Sequence, residues 1–127
     1  ACGLRVAFHR AFDLAVDPAL AARRLAELGV DRTLAAGSSG YDATLATLEE
    51  RVSRLRAAAE AVPAEVLAIV PCGGVRSSNA HRFLSVTPHV HASCRTRPTT
   101  FEPGAFDDGE AARLRAVVHP AAGRDPG

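Results

Sequence analysis

Residues 4–36 read LRVAFHRAFDLAVDPALAARRLAELGVDRTLAA: an apolar run, a helical pattern, then a second apolar run. Residues 4–9 form the first strand candidate. Asp17 then offers a side-chain N-cap, and Pro18 suits the first helical position, where its missing N–H costs nothing. Leu20, Ala21, Leu25 and Leu28 recur at helical spacing, and Gly29 takes the position just past the helix end. Residues 30–36 are the second strand candidate, closed by Gly37-Ser38-Ser39-Gly40. A strand, a helix and another strand in so short a stretch imply a parallel sheet with right-handed crossovers.

The pattern repeats downstream. A longer helix is expected over residues 42–61, because Leu45, Leu48, Val52, Leu55, Ala59 and Val62 are spaced by threes and fours. Pro63 stops it. Residues 66–70 are continuously apolar, as in a strand buried on both faces. Pro71-Cys72-Gly73-Gly74 reads as a tight turn into a helix near residues 78–84. Residues 88–93 are a fourth, weak strand, and residues 95–104 a polar loop. A last helix is expected over 106–118, with Leu114, Val117 and Val118 as its apolar side. Residues 1–118 thus read as one α/β domain of four βα units, and residues 119–127 as a disordered tail. Four units make either a small open sheet or half of an eight-unit barrel, and pattern alone leaves both open.

Composition narrows the class. A chain of 127 residues can bury one ordinary core, and 47% hydrophobic with 23% charged residues fits a soluble globular protein. There is no Trp, so that core must rest on Leu, Val, Ala and a few Phe. A net charge of +1 removes the electrostatic case for nucleic acid. No apolar run approaches the roughly 18–20 residues of a membrane span. Ala1-Cys2-Gly3-Leu4-Arg5 lacks the charged region and long apolar core of a secretion signal. The start without Met leads to the expectation of a chain beginning mid-domain. Cys2, Cys72 and Cys94 are too few and too far apart for a disulfide framework, so reduced thiols in a cytoplasmic protein are expected.

Four motifs carry a resemblance. They are Phe8-His9-Arg10-Ala11-Phe12-Asp13, Leu25-Ala26-Glu27-Leu28-Gly29-Val30-Asp31-Arg32, Gly73-Gly74-Val75-Arg76 with Asn79, and Val90-His91-Ala92-Ser93. In this order and spacing they resemble the CutC family, named for copper homeostasis, over roughly residues 4–118. The resemblance implies a (β/α)8 TIM barrel of which this chain supplies strands five to eight, each motif at a strand's C-terminal end. Barrel sites form at that end. Three positions depart from the family pattern. Leu34-Ala35-Ala36-Gly37 stands where the family has hydroxyls, His89 where an acidic residue precedes Val90, and Cys72 at the first position of the Gly-rich turn.

His9, Arg10 and Asp13 form the sharpest polar cluster. His9 can move a proton or ligate near neutral pH, Arg10 can hold an anion, and Asp13 can orient either. The same three groups equally suit an internal network that fixes a strand end. Gly73, Gly74 and Val75 can present backbone N–H groups to a phosphate or carboxylate, or simply make a turn that needs glycine. Cys72, His91 and Cys94 are the metal candidates, with His89 weaker, because thiolate and imidazole suit Cu(I). Their bland alternative is buried thiols and surface histidines. Arg23-Arg24 and the run from Arg51 to Arg56 read as solvated helix faces.

Three functions follow. The resemblance implies a cytoplasmic copper homeostasis protein that binds Cu(I) without turnover. Barrel architecture alone allows an enzyme-like protein holding a small anionic, phosphate-bearing metabolite at its open face. A half-barrel remnant is the third, and its unpaired edges would drive self-association or recruitment of a missing N-terminal half.

Overall fold

A computed structural model describes residues 3–97, 99–100 and 102–120. Cys2 and residues 121–127, most of the expected tail, lie outside them. The fold is α/β, with a three-stranded parallel sheet in the order β1 (Ala7–Phe8), β2 (Arg32–Ala35), β3 (Ala68–Pro71). The helices are α1 (Pro18–Glu27), α2 (Leu48–Ala61), α3 (Ala80–Leu84) and α4 (Asp108–Val118).

α1 begins as the sequence requires. Asp17 Oδ1 accepts from the Leu20 amide at 3.1 Å, and Pro18 opens the first turn. It ends in paired bonds from Gly29 N to Ala26 O and Val30 N to Leu25 O, which satisfy carbonyls the helix leaves open. α2 starts later than the periodicity suggests. Thr47 and Glu50 form a reciprocal capping box that fixes the start at Leu48, while Asp42 nucleates a separate 3-10 turn over Ala43–Leu45. Leu45, expected in the apolar stripe, is therefore exposed.

α1 packs against α2, and both cover one face of the sheet. Phe12, Leu25, Val52, Leu55, Ile69 and Phe83 lie in the shared core. Thr33 and Ala35 of β2 are buried while Arg32, its first residue, is exposed and Leu34 is half-buried, the alternation of a pleated strand. All four residues of β3 are buried. β3 begins two residues later than expected because Val66 N and Leu67 N both turn back onto Pro63 O. α1 does not bury the whole expected stripe. Leu25 is buried, but Leu20 and Leu28 are exposed, together with Leu4, Val6, Leu14 and Val16 of the same edge unit.

The fourth strand does not form. Thr87 Oγ1 donates to Ile69 O at 2.9 Å, Pro88 has no N–H to give, and the next ladder-like bond is His91 N to Pro71 O at 2.8 Å. Residues 88–93 thus run beside β3 without pairing as a strand. The expected loop beyond them folds back on itself, with an antiparallel bridge between Arg95 and Phe106. α4 then starts at Asp108, capped by Asp107, and buries Leu114 as expected.

Candidate functional site

The polar cluster after β1 is built by a 3-10 turn over Arg10–Leu14. His9 caps that turn: its Nδ1 accepts from Ala11 N at 2.8 Å, and its ring stacks on Phe8. The acceptor role of Nδ1 puts the proton of neutral His9 on Nε2. Arg10 Nε donates to Asp13 Oδ2 at 3.0 Å, and its Nη2 reaches Tyr41 O at 2.6 Å. Asp13 is 3% exposed. Beyond Arg10 it accepts from the amides of Ala36 and Gly37, at 3.0 and 3.1 Å, at the end of β2. Asp13 therefore ties the end of β1 to the end of β2, the internal network that was the alternative to a reactive role.

Arg51 continues the tie. It was expected on a solvated helix face, and that expectation is corrected: it is 7% exposed. Its Nε donates to Ala36 O at 2.7 Å, and its Nη2 to Cys72 O and Gly73 O at 2.8 and 2.7 Å. The guanidinium lies 4.9 Å over the Phe83 ring. Burial lowers its pKa from the ordinary value. The close approach depends on Gly37, which has φ +79°; a Cβ there would collide with the Arg51 carbonyl. One charged chain, Arg10–Asp13–(Ala36, Gly37)–Arg51–(Cys72, Gly73), thus joins the C-terminal ends of all three strands.

Cys72 sits at this junction, 2% exposed, and burial pushes its thiol up to about 11. It is a protonated thiol at neutral pH. Cys94 is also buried, with an uncommon left-handed backbone at φ +48°. His91 is exposed beside the end of β3. His89 lies elsewhere: it lines a cavity of about 400 Å³ with Arg5, Asp31 and Glu65, near the opposite, N-terminal strand ends. No group of three metal-ligating side chains converges among the described residues. The Gly-rich turn carries Gly73 and Gly74 both at positive φ, and Asn79 braces it. Asn79 Nδ2 donates to Gly74 O, and its Oδ1 accepts from Arg76 N.

A second charged residue escaped the sequence reading. Glu110 of α4 is 4% exposed and receives the Ser77 amide at 2.6 Å and the Ser77 hydroxyl at 2.9 Å. The signal for both misses was spacing. Arg51 falls on the buried stripe of α2 with Leu55 and Ala58, and Glu110 stands one turn before Leu114.

A model of the CutC family matches residues 1–96. The chain belongs to the CutC family. A CutC family protein of Pectobacterium atrosepticum is 36% identical over 81 residues, covering 64% of this chain and 29% of that protein. One from Citrobacter koseri is 37% identical over 92 residues, covering 71% and 34%. A solved CutC structure from Streptococcus agalactiae superposes with a TM-score of 0.54 at 26% identity, over 71% of this chain and 42% of that one. The chain spans about a third of the length of the curated relatives it matches. Among the described residues no helix is long and apolar enough to cross a membrane.

Proposed function

We propose that this chain is the closing part, strands five to eight, of a CutC (β/α)8 barrel and serves copper homeostasis by binding Cu(I) as cargo in the cytoplasm, without turnover. The observation that carries the proposal is the family match over residues 1–96, which takes in Cys72, His91 and Cys94 together. The Streptococcus agalactiae relative bears a copper homeostasis name. Soft thiolate and imidazole donors suit Cu(I), and residue 91 lies against the residue preceding Cys72. Titration of the purified chain with Cu(I) against a chromophoric chelator tests this. Binding that Cys72→Ser or Cys94→Ser abolishes is expected; binding unaffected by both changes, or none, overturns it. The exposed apolar residues of the β1–α1 edge support a partner there, either a missing N-terminal half or a second copy.

One observation favours a second reading, a small anionic ligand at the Gly-rich turn. The amides of Gly73, Gly74 and Val75 donate to no acceptor among the described residues, and a Cβ at Gly74 would meet open space. Phosphate esters added to the wild-type chain are expected to move these three amide resonances. A silent titration sinks this reading.

A further inference from the structure

Four donors converge on one buried carboxylate. Ser77 N and Ser77 Oγ hold the two oxygens of Glu110 at 2.6 and 2.9 Å. Arg76 Nε lies 3.5 Å from Oε1, and Arg113 Nη2 lies 3.3 Å from Oε2. A backbone N–H, a hydroxyl and two guanidinium groups are what a protein uses to hold a phosphate or a carboxylate. The receiving side does not depend on Glu110 for its shape. Arg76 N and Gly74 O are fixed by Asn79, and Arg76 Nη1 is anchored on Arg95 O at 2.6 Å. The guest is attached differently. Glu110 belongs to α4, beyond the family match that ends at residue 96, and follows a stretch in which Arg95–Arg97, Glu102, Pro103, Ala105 and Phe106 are exposed. Of the hydrophobic residues of α4, Leu114 is buried and Ala111, Val117 and Val118 are half-buried against the core, so the carboxylate shares the attachment of the helix with a thin apolar contact.

We propose that Arg76 and Ser77 form an oxyanion site held closed by the chain's own Glu110, with α4, which carries both Glu110 and its neighbour Arg113, acting as a tethered competing ligand. The ligand class is a small phosphate- or carboxylate-bearing anion. The tether keeps the internal carboxylate at high effective concentration, so a free anion enters only when α4 lifts away. The inference rests on the anion reading for its ligand class, but it uses different residues, one step along the same turn.

The test uses inorganic phosphate against chloride at matched ionic strength, on the full chain and on Glu110→Ala. Wild type is expected to show no change at the Ser77 amide. Glu110→Ala is expected to bind phosphate with Kd on the order of 1 mM, to shift the Ser77 amide, and to melt at higher temperature in phosphate than in chloride. Adding Ser77→Ala should weaken binding about tenfold, as expected for a loss near 1.4 kcal/mol. Glu110→Gln keeps the side-chain shape without the charge and is expected to gain a weaker phosphate response. A folded Glu110→Ala chain blind to phosphate overturns the proposal. So does a Glu110→Ala chain that phosphate fails to fold, together with a Glu110→Gln chain that is either blind to phosphate or equally unfolded in it. Movement of the Gly73–Gly74–Val75 amides in wild type reports on the anion reading separately, so either can fail alone.

Discussion

Replacing Arg51 by Met keeps most of the stem and deletes the guanidinium, leaving the carbonyls of Ala36, Cys72 and Gly73 without their donor. An orphaned buried acceptor costs about 1–3 kcal/mol. Water can reach Gly73, which is half-buried, so two acceptors carry most of the loss. The stacking on Phe83 adds roughly 0.5–1 kcal/mol. The expected destabilisation is about 3–5 kcal/mol, a large share of the roughly 5–15 kcal/mol of a typical domain. In urea, with a slope near 2 kcal/mol/M, the midpoint should fall by roughly 2 M at unchanged slope. Arg51→Lys should keep at least half of the loss, because one ammonium cannot span carbonyls on two strand ends. Arg56→Met is the control: exposed, with one 3.4 Å contact to Ser85, it should cost less than about 0.5 kcal/mol. An Arg51→Met chain within about 0.5 kcal/mol of wild type would refute the claim that this residue joins the strands.

Gly37→Ala should destabilise by at least about 2 kcal/mol in the same urea assay, since it adds a left-handed penalty to a collision with Arg51 O. Glu110 has its pKa lowered from 4.5, first by the Ser77 amide. Its contribution is therefore complete above pH 4.5 and is lost as pH falls through the lowered folded value. The melting-temperature gap between wild type and Glu110→Gln should narrow on acidification, and a gap unchanged down to pH 3 contradicts the contact. Light scattering of the isolated chain should report self-association through the β1–α1 edge; a clean, stable monomer contradicts it.

The elements legible in the sequence were those whose signals are local. Asp17-Pro18, Gly29 and the threes and fours of α2 work within a turn or two of chain; α1 appears where its punctuation puts it, and α2 forms with its start moved from residue 42 to Leu48. The errors lie where distant groups decide. Residues 88–93 read as a weak strand, but Thr87 takes the Ile69 carbonyl and Pro88 lacks a donor, so the ladder never starts. Leu20 and Leu28 obey helical spacing, yet only a neighbour beyond β1 could cover them. Arg51 looked solvated because charge is the usual mark of a surface, whereas three carbonyls at two strand ends outbid water for it.

The same contacts change what the polar cluster has left to offer. Asp13 spends its oxygens on two amides and Arg10, and Arg10 spends its remaining reach on Tyr41 O, so neither is free to act on a ligand without loosening the strand ends. His9 keeps only Nε2, and Cys72 holds its proton. Chemistry at this end must therefore either bring a ligand strong enough to displace the thiol proton, as Cu(I) is, or use donors that the network leaves unspent. Among the described residues, those unspent donors are the three amides from Gly73 to Val75. A soft cation at Cys72 and an anion at Gly74 would then meet on neighbouring residues of one turn, and because Arg51 grips the carbonyls of Cys72 and Gly73, a change that frees Cys72 should also disturb the amides beside it. Amide shifts at Gly73 and Gly74 during the Cu(I) titration are the expected sign of that coupling, and their complete absence while copper binds through Cys72 would show the two ends of the turn to be independent.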